Sequence, residues 1–133
     1  MKKILSILTI SLLLFSCSDD DNMGEVIPEI NFSDDTVKEQ VVYADETDSV
    51  HGIGFEVNTM WRVDVRDVTT RAVENTAHWI RVDQYGGGRG MFNLTVTTDS
   101  NKTGADRKAE IIITCGDKTV FTVEQKGINR TKR

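Results

Sequence analysis

The residues that could support catalysis or metal binding are few and widely spaced. His51 and His78 are 27 residues apart, and neither has a cysteine or carboxylate at the spacing that zinc sites use. No serine lies in a Gly-x-Ser-x-Gly turn, and the run Asp19-Asp20-Asp21 lacks the alternate spacing of a calcium-binding loop. These patterns predict a protein that is not an enzyme, with no catalytic residues, no metal site and no cofactor.

Four glycines fall within the five positions from Gly86 to Gly90. A phosphate-binding loop needs a strand before it and a helix after it, whereas this segment connects two predicted strands. The composition therefore predicts a flexible connection rather than a phosphate site.

The N-terminus has the features of a secretory signal. Lys2 and Lys3 precede an apolar run over residues 4–15, which is shorter than the roughly 20 residues of a membrane-spanning helix. The following Leu14-Phe15-Ser16-Cys17 resembles the lipobox of bacterial lipoproteins, which implies that Cys17 is lipidated and becomes the mature N-terminus. We therefore expect residues 1–16 to be a lipoprotein signal peptide and the protein to contact the membrane through an N-terminal lipid.

The residues after Cys17 are acidic. Ser18, Asp19, Asp20 and Asp21 resemble the export signal that directs Bacteroidetes lipoproteins to the outer face of the outer membrane. A solvated acidic linker is an alternative interpretation, and the two are compatible. We expect residues 17–25 to form an acidic flexible tether on an outer membrane lipoprotein at the cell surface.

The charge balance excludes some partners. Without Lys2 and Lys3, 14 basic residues stand against 21 acidic ones, a net charge of −7. This balance argues against nucleic acid and against anionic membrane surfaces as partners. The acids are concentrated in residues 19–48, which hold eleven acids and one base, as expected for a tether that carries a nearly neutral folded domain.

The stretch Phe55–Val65 sets the expected architecture. Trp61, Val63 and Val65 alternate with charged residues, which is the period of a half-buried strand. Further strands are predicted at the following places in the chain: 27–32, 37–44, 50–58, 79–83, 91–98, 109–115 and 120–125. Residues 68–77 are predicted to form a loop that could include one helical turn. About eight short strands with frequent turn signals predict an all-β sandwich of two antiparallel sheets.

Cys115 alternates with Ile111 and Ile113 on the apolar face of a predicted strand. A free thiol in such a position behaves as a small hydrophobic side chain. If Cys17 carries lipid, Cys115 has no partner and no disulfide forms.

Aromatic rings are the candidate sugar contacts, because rings stack on sugar faces. Tyr85, beside the glycine segment, is the ring most expected to be exposed, and Trp79 and Tyr43 are further candidates. Core packing is the alternative for both tryptophans, more firmly for Trp61 than for Trp79. Separately, Asp35-Thr36-Val37 and Asp48-Ser49-Val50 resemble the Bacteroidetes O-glycosylation motif, which would place glycans on Thr36 and Ser49.

Several of these segments together resemble the BACON domain (Bacteroidetes-associated carbohydrate-binding often N-terminal). The segments are Phe55–Val65 with Asn58 and Trp61, Trp79-Ile80-x-Val82, the turn at Asn101, Arg107-x-Ala109-x-Ile111, and Val123-x-Gln125-x-Gly127. The resemblance covers residues 26–128, followed by a basic tail over residues 129–133. It implies an immunoglobulin-like β-sandwich of about eight antiparallel strands. No ligand residues are carried over from the family.

Two functions remain open from the sequence. The first is a non-catalytic, lipid-anchored cell-envelope module for structural display or interaction with an envelope protein. The alternative is a lipoprotein that binds a polysaccharide or mucin glycan. An exposed aromatic platform would favour the glycan, whereas two buried tryptophans and a polar surface would favour the protein partner.

Overall fold

The computed structural model describes residues 24–69 and 77–128, and the regular structure within them is β-strand. The predicted signal peptide, Cys17, the export signal Ser18 to Asp21 and the basic tail lie outside the described residues, as does most of the segment 68–77. The strands in chain order are β1 (Ile30–Phe32), β2 (Glu39–Val42), β3 (Ile53–Val57), β4 (Trp61–Asp67), β5 (Ile80–Val82), β6 (Gly86–Gly87), β7 (Gly90–Leu94), β8 (Val96–Thr98), β9 (Arg107–Cys115) and β10 (Asp117–Gln125).

The strands form two facing layers. One layer is a five-stranded sheet in the order β2-β10-β9-β4-β6. The other is a three-stranded sheet in the order β1-β3-β7, and the chain continues from β7 into β8, which pairs with β5. The predicted all-β sandwich is confirmed, with ten strands in the described residues where about eight were expected.

The longest ladder is the antiparallel hairpin of β9 and β10. The two strands pair over their full nine residues, from Cys115 opposite Asp117 to Arg107 opposite Gln125. The chain reverses at Gly116, whose φ of +73° suits a residue without a Cβ atom. Alternate residues of both strands point into the sandwich, and Ile111, Ile113 and Phe121 are buried there.

Aromatic rings join the two layers in the core. Phe32 packs edge-on against Phe121 with centroids 5.2 Å apart, and Phe55 packs against Trp61 at 4.9 Å. Phe92 completes the group, 4.8 Å from the Trp61 ring. Offset and edge-to-face pairs of this kind add to the free energy gained from burial. The expectation that strands gather around Trp61 is met, and Cys115 is a buried free cysteine as predicted.

Three details differ from the sequence-based expectation. The pairing of β2 with β10 is parallel, because β2 joins a strand that is distant in sequence rather than a hairpin neighbour. The strand expected over residues 91–98 is broken at Thr95, where β7 in one sheet gives way to β8 in another. The glycine segment is not simply a flexible connection, because Gly86–Gly87 pairs with the start of β4.

All ten strands and the buried core lie between Ile30 and Gln125. A fragment that starts at residue 18 therefore retains every contact described here. In the part of the chain that the structure describes, no helix has the length and apolar character needed to cross a bilayer.

Candidate functional site

An open groove of about 480 Å³ lies on the outer face of the three-stranded sheet. Gly52 and Gly54 form the bottom of the groove. They face outward on either side of Ile53, which is buried. A Cβ atom at Gly54 would come within 2.6 Å of Ser33 Oγ, a distance that cannot be accommodated without movement. Any larger residue at this position would therefore fill the groove.

Polar side chains line the groove. Ser33, Asp35, His51 and Asn93 supply a hydroxyl, a carboxylate, an imidazole and an amide, and Met91 forms one wall. Met91 is 81% exposed, which is unusual for a large apolar side chain on a strand. The groove therefore offers hydrogen-bonding groups beside one uncovered apolar side chain.

A second groove, of about 390 Å³, lies towards the other end of the same face. It is lined by Glu29, Asn31, Glu56, Asn58 and Arg89. A smaller depression shares residues with each groove and connects them. We call the connected surface the outer trough.

The outer trough is acidic in balance. Its lining includes the carboxylates of Glu29, Asp35 and Glu56 against one guanidinium, that of Arg89. A ligand with positive charge would therefore suit this surface better than an anion.

Asn58 fixes the chain where it enters the sandwich beside the trough. The Glu29 N–H donates to Asn58 Oδ1 at 2.8 Å, and Asn58 Nδ2 donates to the Ile27 carbonyl at 2.8 Å. The Asn58 N–H also donates to the Glu29 carbonyl at 3.3 Å. The Asn58 side chain, in the turn between β3 and β4, thus pairs with the backbone before β1 as a neighbouring strand would.

The three rings predicted to contact a sugar are not brought together. Trp79 is only 7% exposed and belongs to the core, so its faces are not available for stacking. Tyr43 follows β2 and is partly buried, whereas Tyr85 precedes β6 and is 53% exposed. Because β2 and β6 are opposite edges of the five-stranded sheet, these tyrosines are separated by four strand spacings, or about 19 Å.

Trp79 is held by a charged group on each side. Its Nε1–H donates to Asp67 Oδ2 at 2.9 Å, and the Arg107 guanidinium lies 4.6 Å from the ring centroid. Arg107 also donates to Gln125 Oε1 and to the Asp99 carbonyl, both at 2.8 Å. Trp79 therefore ties the end of β4 to the start of β9, and its role is structural.

The environment of Asp67 changes its pKa. Burial raises the pKa, but hydrogen bonds from Thr69 and Trp79 and the charge of Arg107 outweigh that effect. The net result is a pKa of Asp67 below its ordinary value. The carboxylate is thus a fixed structural anion rather than a proton donor poised near neutral pH.

The two residues predicted to be O-glycosylated, Thr36 and Ser49, differ in exposure. Ser49 is exposed, so its hydroxyl is open to modification. Thr36 Oγ1 is buried and has no hydrogen-bond partner among the described residues. This placement argues against modification of Thr36 in the folded protein.

The described residues hold no cluster of three or more histidine, cysteine or acidic side chains that could bind a metal ion. Cys115 is buried, with its Sγ 3.6 Å from the Glu29 carbonyl. A buried thiol of this kind is a poor nucleophile.

The outer trough was not predicted from the sequence. The signal that could have revealed it is the alternation of Gly52 and Gly54 with buried Ile53 and Phe55, since glycine at an outward strand position leaves room above the sheet. The depth of the trough, however, depends on Ser33 and Asn93 from neighbouring strands, and their proximity follows from the strand register.

The fold is that of an immunoglobulin-like β-sandwich, as the resemblance to the BACON domain implied. A module of a Bacteroides ovatus GH5 xyloglucanase, solved in complex with an XXXG heptasaccharide, is similar with a TM-score of 0.56 at 13% identity. The match covers 79% of this chain and 20% of the xyloglucanase, so this chain spans about a fifth of that enzyme. At this identity the likeness shows the fold alone.

Two further solved structures are similar at lower scores. A Bacteroides thetaiotaomicron protein solved by NMR has a TM-score of 0.48 at 16% identity, over 83% of this chain and 96% of its own. The ASH/PapD-like domain of human CEP192 has a TM-score of 0.44 at 11% identity, over 98% of this chain and 100% of its own.

The sequence also matches a domain family. Residues 69–126 match the BACON family, described as "Putative binding domain, N-terminal". A BACON domain is thus present, and the matched part runs from the end of β4 to the end of β10. A comparison with curated proteins finds no matching sequence.

Proposed function

We propose that this protein is a non-catalytic, lipid-anchored module of the cell envelope that presents its sandwich surface to a partner protein. The observation that carries the proposal is the placement of the aromatic side chains. Trp61 and Trp79 are both buried, and Tyr85 is the only strongly exposed aromatic side chain among the described residues. The two grooves of the outer trough are instead polar and lie on the three-stranded sheet.

The anchoring part of the proposal rests on the lipobox-like Leu14-Phe15-Ser16-Cys17 after the apolar run. A lipidated Cys17 would hold the protein in the outer membrane, because each buried methylene of an acyl chain contributes about 0.8 kcal/mol. Cys17→Ser should leave the protein unprocessed or released. Membrane fractionation with mass spectrometry of the N-terminus decides this, and an unlipidated wild-type N-terminus would reject the anchor.

The location at the cell surface rests on Asp19, Asp20 and Asp21. Replacing the three residues with Ala should move the protein from the outer face to the periplasmic side of the outer membrane. Protease shaving of intact cells measures the difference, with Asp34→Ala/Asp35→Ala as a control for the removal of acidic residues inside the domain. Equal shaving of the triple variant and the wild type would argue against the export signal.

A glycan ligand is the second candidate, supported by the exposure of Tyr85 and by the oligosaccharide complex of the structurally similar xyloglucanase. Two experiments separate the candidates, one on the full-length protein in cells and one on the fragment 18–133. Crosslinking of the full-length protein in intact cells should capture an envelope protein, and a glycan array probed with the fragment 18–133 should show no binding. Specific glycan binding that is lost in Tyr85→Ala, without a captured protein, would replace the proposal with the glycan function.

A further inference from the structure

The outer edge of β7 carries unpaired backbone groups. The Ser33 N–H donates to the Gly54 carbonyl and the Asn58 N–H to the Glu29 carbonyl, so alternate residues 54, 56 and 58 direct their backbone groups towards β1. In an antiparallel ladder the intervening residues of β3 then bond to β7. Their partners in β7 are Gly90, Phe92 and Leu94, which leaves Met91 and Asn93 with N–H and carbonyl groups directed away from the sheet.

The same edge is occupied further along the chain. The Asp83 N–H donates to the Thr95 carbonyl at 3.1 Å. Together with β5, Asp83 therefore covers this edge from Thr95 to the end of β8. After Asp83 the chain crosses to the five-stranded sheet, where the Tyr85 carbonyl accepts from the Val63 N–H at 2.8 Å. Within the described residues, the Met91 and Asn93 backbone groups therefore have no strand partner.

The edges at β1 and β6 have protection that β7 lacks. Pro28 precedes β1 and packs against the β9–β10 turn, where a Cβ atom at Gly116 would lie 2.7 Å from Pro28 Cβ. The strand β6 is only two residues long. Short edge strands and proline are among the usual devices against strand addition.

The surface beside this edge indicates the chemistry of a partner. Met91 is 81% exposed and lies opposite Glu56 in the β3–β7 register. A strand added to β7 would lie about 10 Å, or two strand spacings, from β3. Extended lysine or arginine side chains could then lay their alkyl stems on Met91 and bring the charge towards Glu56. Glu29 and Asp35 extend the acidic surface along the trough.

We propose that the free edge of β7 accepts an extended segment of a partner polypeptide as an added strand, with Lys or Arg on the side that faces the acidic outer trough. The proposal rests on the protein-interaction function proposed above and names its surface and the kind of partner. Backbone hydrogen bonds to Met91 and Asn93 would hold the added strand on the edge, and the acidic charge of the trough would favour segments that carry Lys or Arg.

Hydrogen exchange on the fragment 18–133 tests the proposal directly. The probe is a ten-residue peptide of alternating Lys and Thr, blocked at both ends, and its counterpart is the alternating Glu and Thr peptide. The Lys-Thr peptide should slow exchange of the Met91 and Asn93 amides about tenfold or more, and this protection should weaken as salt screens the charges. The Glu-Thr peptide should give no protection.

Three variants locate the binding edge. Asn93→Pro removes an outward N–H while leaving the N–H groups of Phe92 and Leu94 in the ladder, and proline is tolerated on edge strands. It should weaken peptide binding about tenfold, and by more than Asn93→Ala, which keeps the N–H. Val41→Pro is the matched control. The Lys38 and Val42 carbonyls accept from the N–H groups of Thr122 and Lys126, so the Val41 N–H points outward from β2.

The outcomes separate this proposal from the proposed function. The β7 edge is rejected as the docking site if millimolar Lys-Thr peptide protects neither the Met91 nor the Asn93 amide, or if the Glu-Thr peptide protects them equally. It is also rejected if the two amides become protected when only the protein concentration is raised, since the occupant would then be a second copy of this chain. A protein captured on cells by wild type and Asn93→Pro alike would reject the edge but retain the interaction function. Capture by wild type and Val41→Pro but not by Asn93→Pro would support both.

Discussion

Gly87 and Trp61 face each other in the β4–β6 pairing, and a Cβ atom at Gly87 would lie 3.0 Å from Trp61 Nε1 and 3.3 Å from Cε2. The indole is 96% buried against Phe55 and Phe92, with 4% of its surface exposed, and it cannot move away easily. The glycine segment therefore closes the core over a tryptophan by bringing backbone rather than side chains against the ring.

Gly87→Ala should consequently destabilise the fold. Inserting a methyl group against a rigid, well-packed ring costs about 1–3 kcal/mol. Gly88→Ala is the matched control, because no heavy atom lies within 4 Å of its added Cβ, and its stability should equal or exceed that of the wild type. Urea unfolding of both variants measures the difference, and equal midpoints for the two would contradict the close packing at Gly87.

Trp61→Ala should cost about 3–5 kcal/mol, since it removes a large side chain from the middle of the aromatic core. Tyr85→Ala should change the free energy of unfolding by less than about 0.5 kcal/mol, as expected for an exposed side chain. The Tyr85 carbonyl, which accepts from Val63, remains in that variant. Thermal melts decide the pair, and a Trp61→Ala protein that melts like the wild type would show that the ring is not a core anchor.

Strands whose pairing is local and whose alternation is regular could be predicted from the sequence. Trp61 and Val63 in β4, and Ile111 and Ile113 in β9, repeat at every second residue, and Gly116 marks the reversal into β10. The break at Thr95 could not be predicted in the same way, because Phe92, Leu94 and Val96 continue the alternation through it. The break depends on Asp83, whose backbone and side chain both bond to Thr95.

The candidate site was less accessible to sequence reasoning. Tyr43 and Tyr85 are both polar aromatic residues near turns, and only the strand order places them at opposite edges of a sheet. Trp79 follows no clear alternation with Val82, so its burial depends on Asp67 and Arg107, which are distant in sequence. The free edge of β7 likewise follows from the hydrogen-bond register, which residue types do not determine.

Asn58→Ala should release the chain that enters the sandwich. The variant loses the hydrogen bonds to the Glu29 N–H and the Ile27 carbonyl, and the cost should be about 1–2 kcal/mol. Hydrogen exchange at the Glu29 amide should accelerate, and proteolysis before Ile30 should become faster. Asn31→Ala, at an exposed position on β1, is the control. Unchanged exchange at Glu29 would mean that the Asn58 backbone alone holds the entering segment.

Asp67→Asn should lower stability at neutral pH but much less in acid. The carboxylate accepts from the Thr69 N–H at 2.7 Å and from Trp79 Nε1 at 2.9 Å. Because its folded-state pKa lies below the ordinary value of 3.8, its ionised form stabilises the fold above that pH. This contribution is lost as the pH falls through the lowered pKa.

The measurement is the free energy of unfolding of wild type and Asp67→Asn between about pH 7 and pH 2, a range that spans the titration of aspartate. The two curves should be separated at neutral pH and converge below about pH 4. Asp48→Asn, in an exposed turn, should follow the wild type throughout. A constant separation between Asp67→Asn and the wild type down to pH 2 would contradict the role of the charge, and would assign the loss to the altered hydrogen-bond geometry at Trp79.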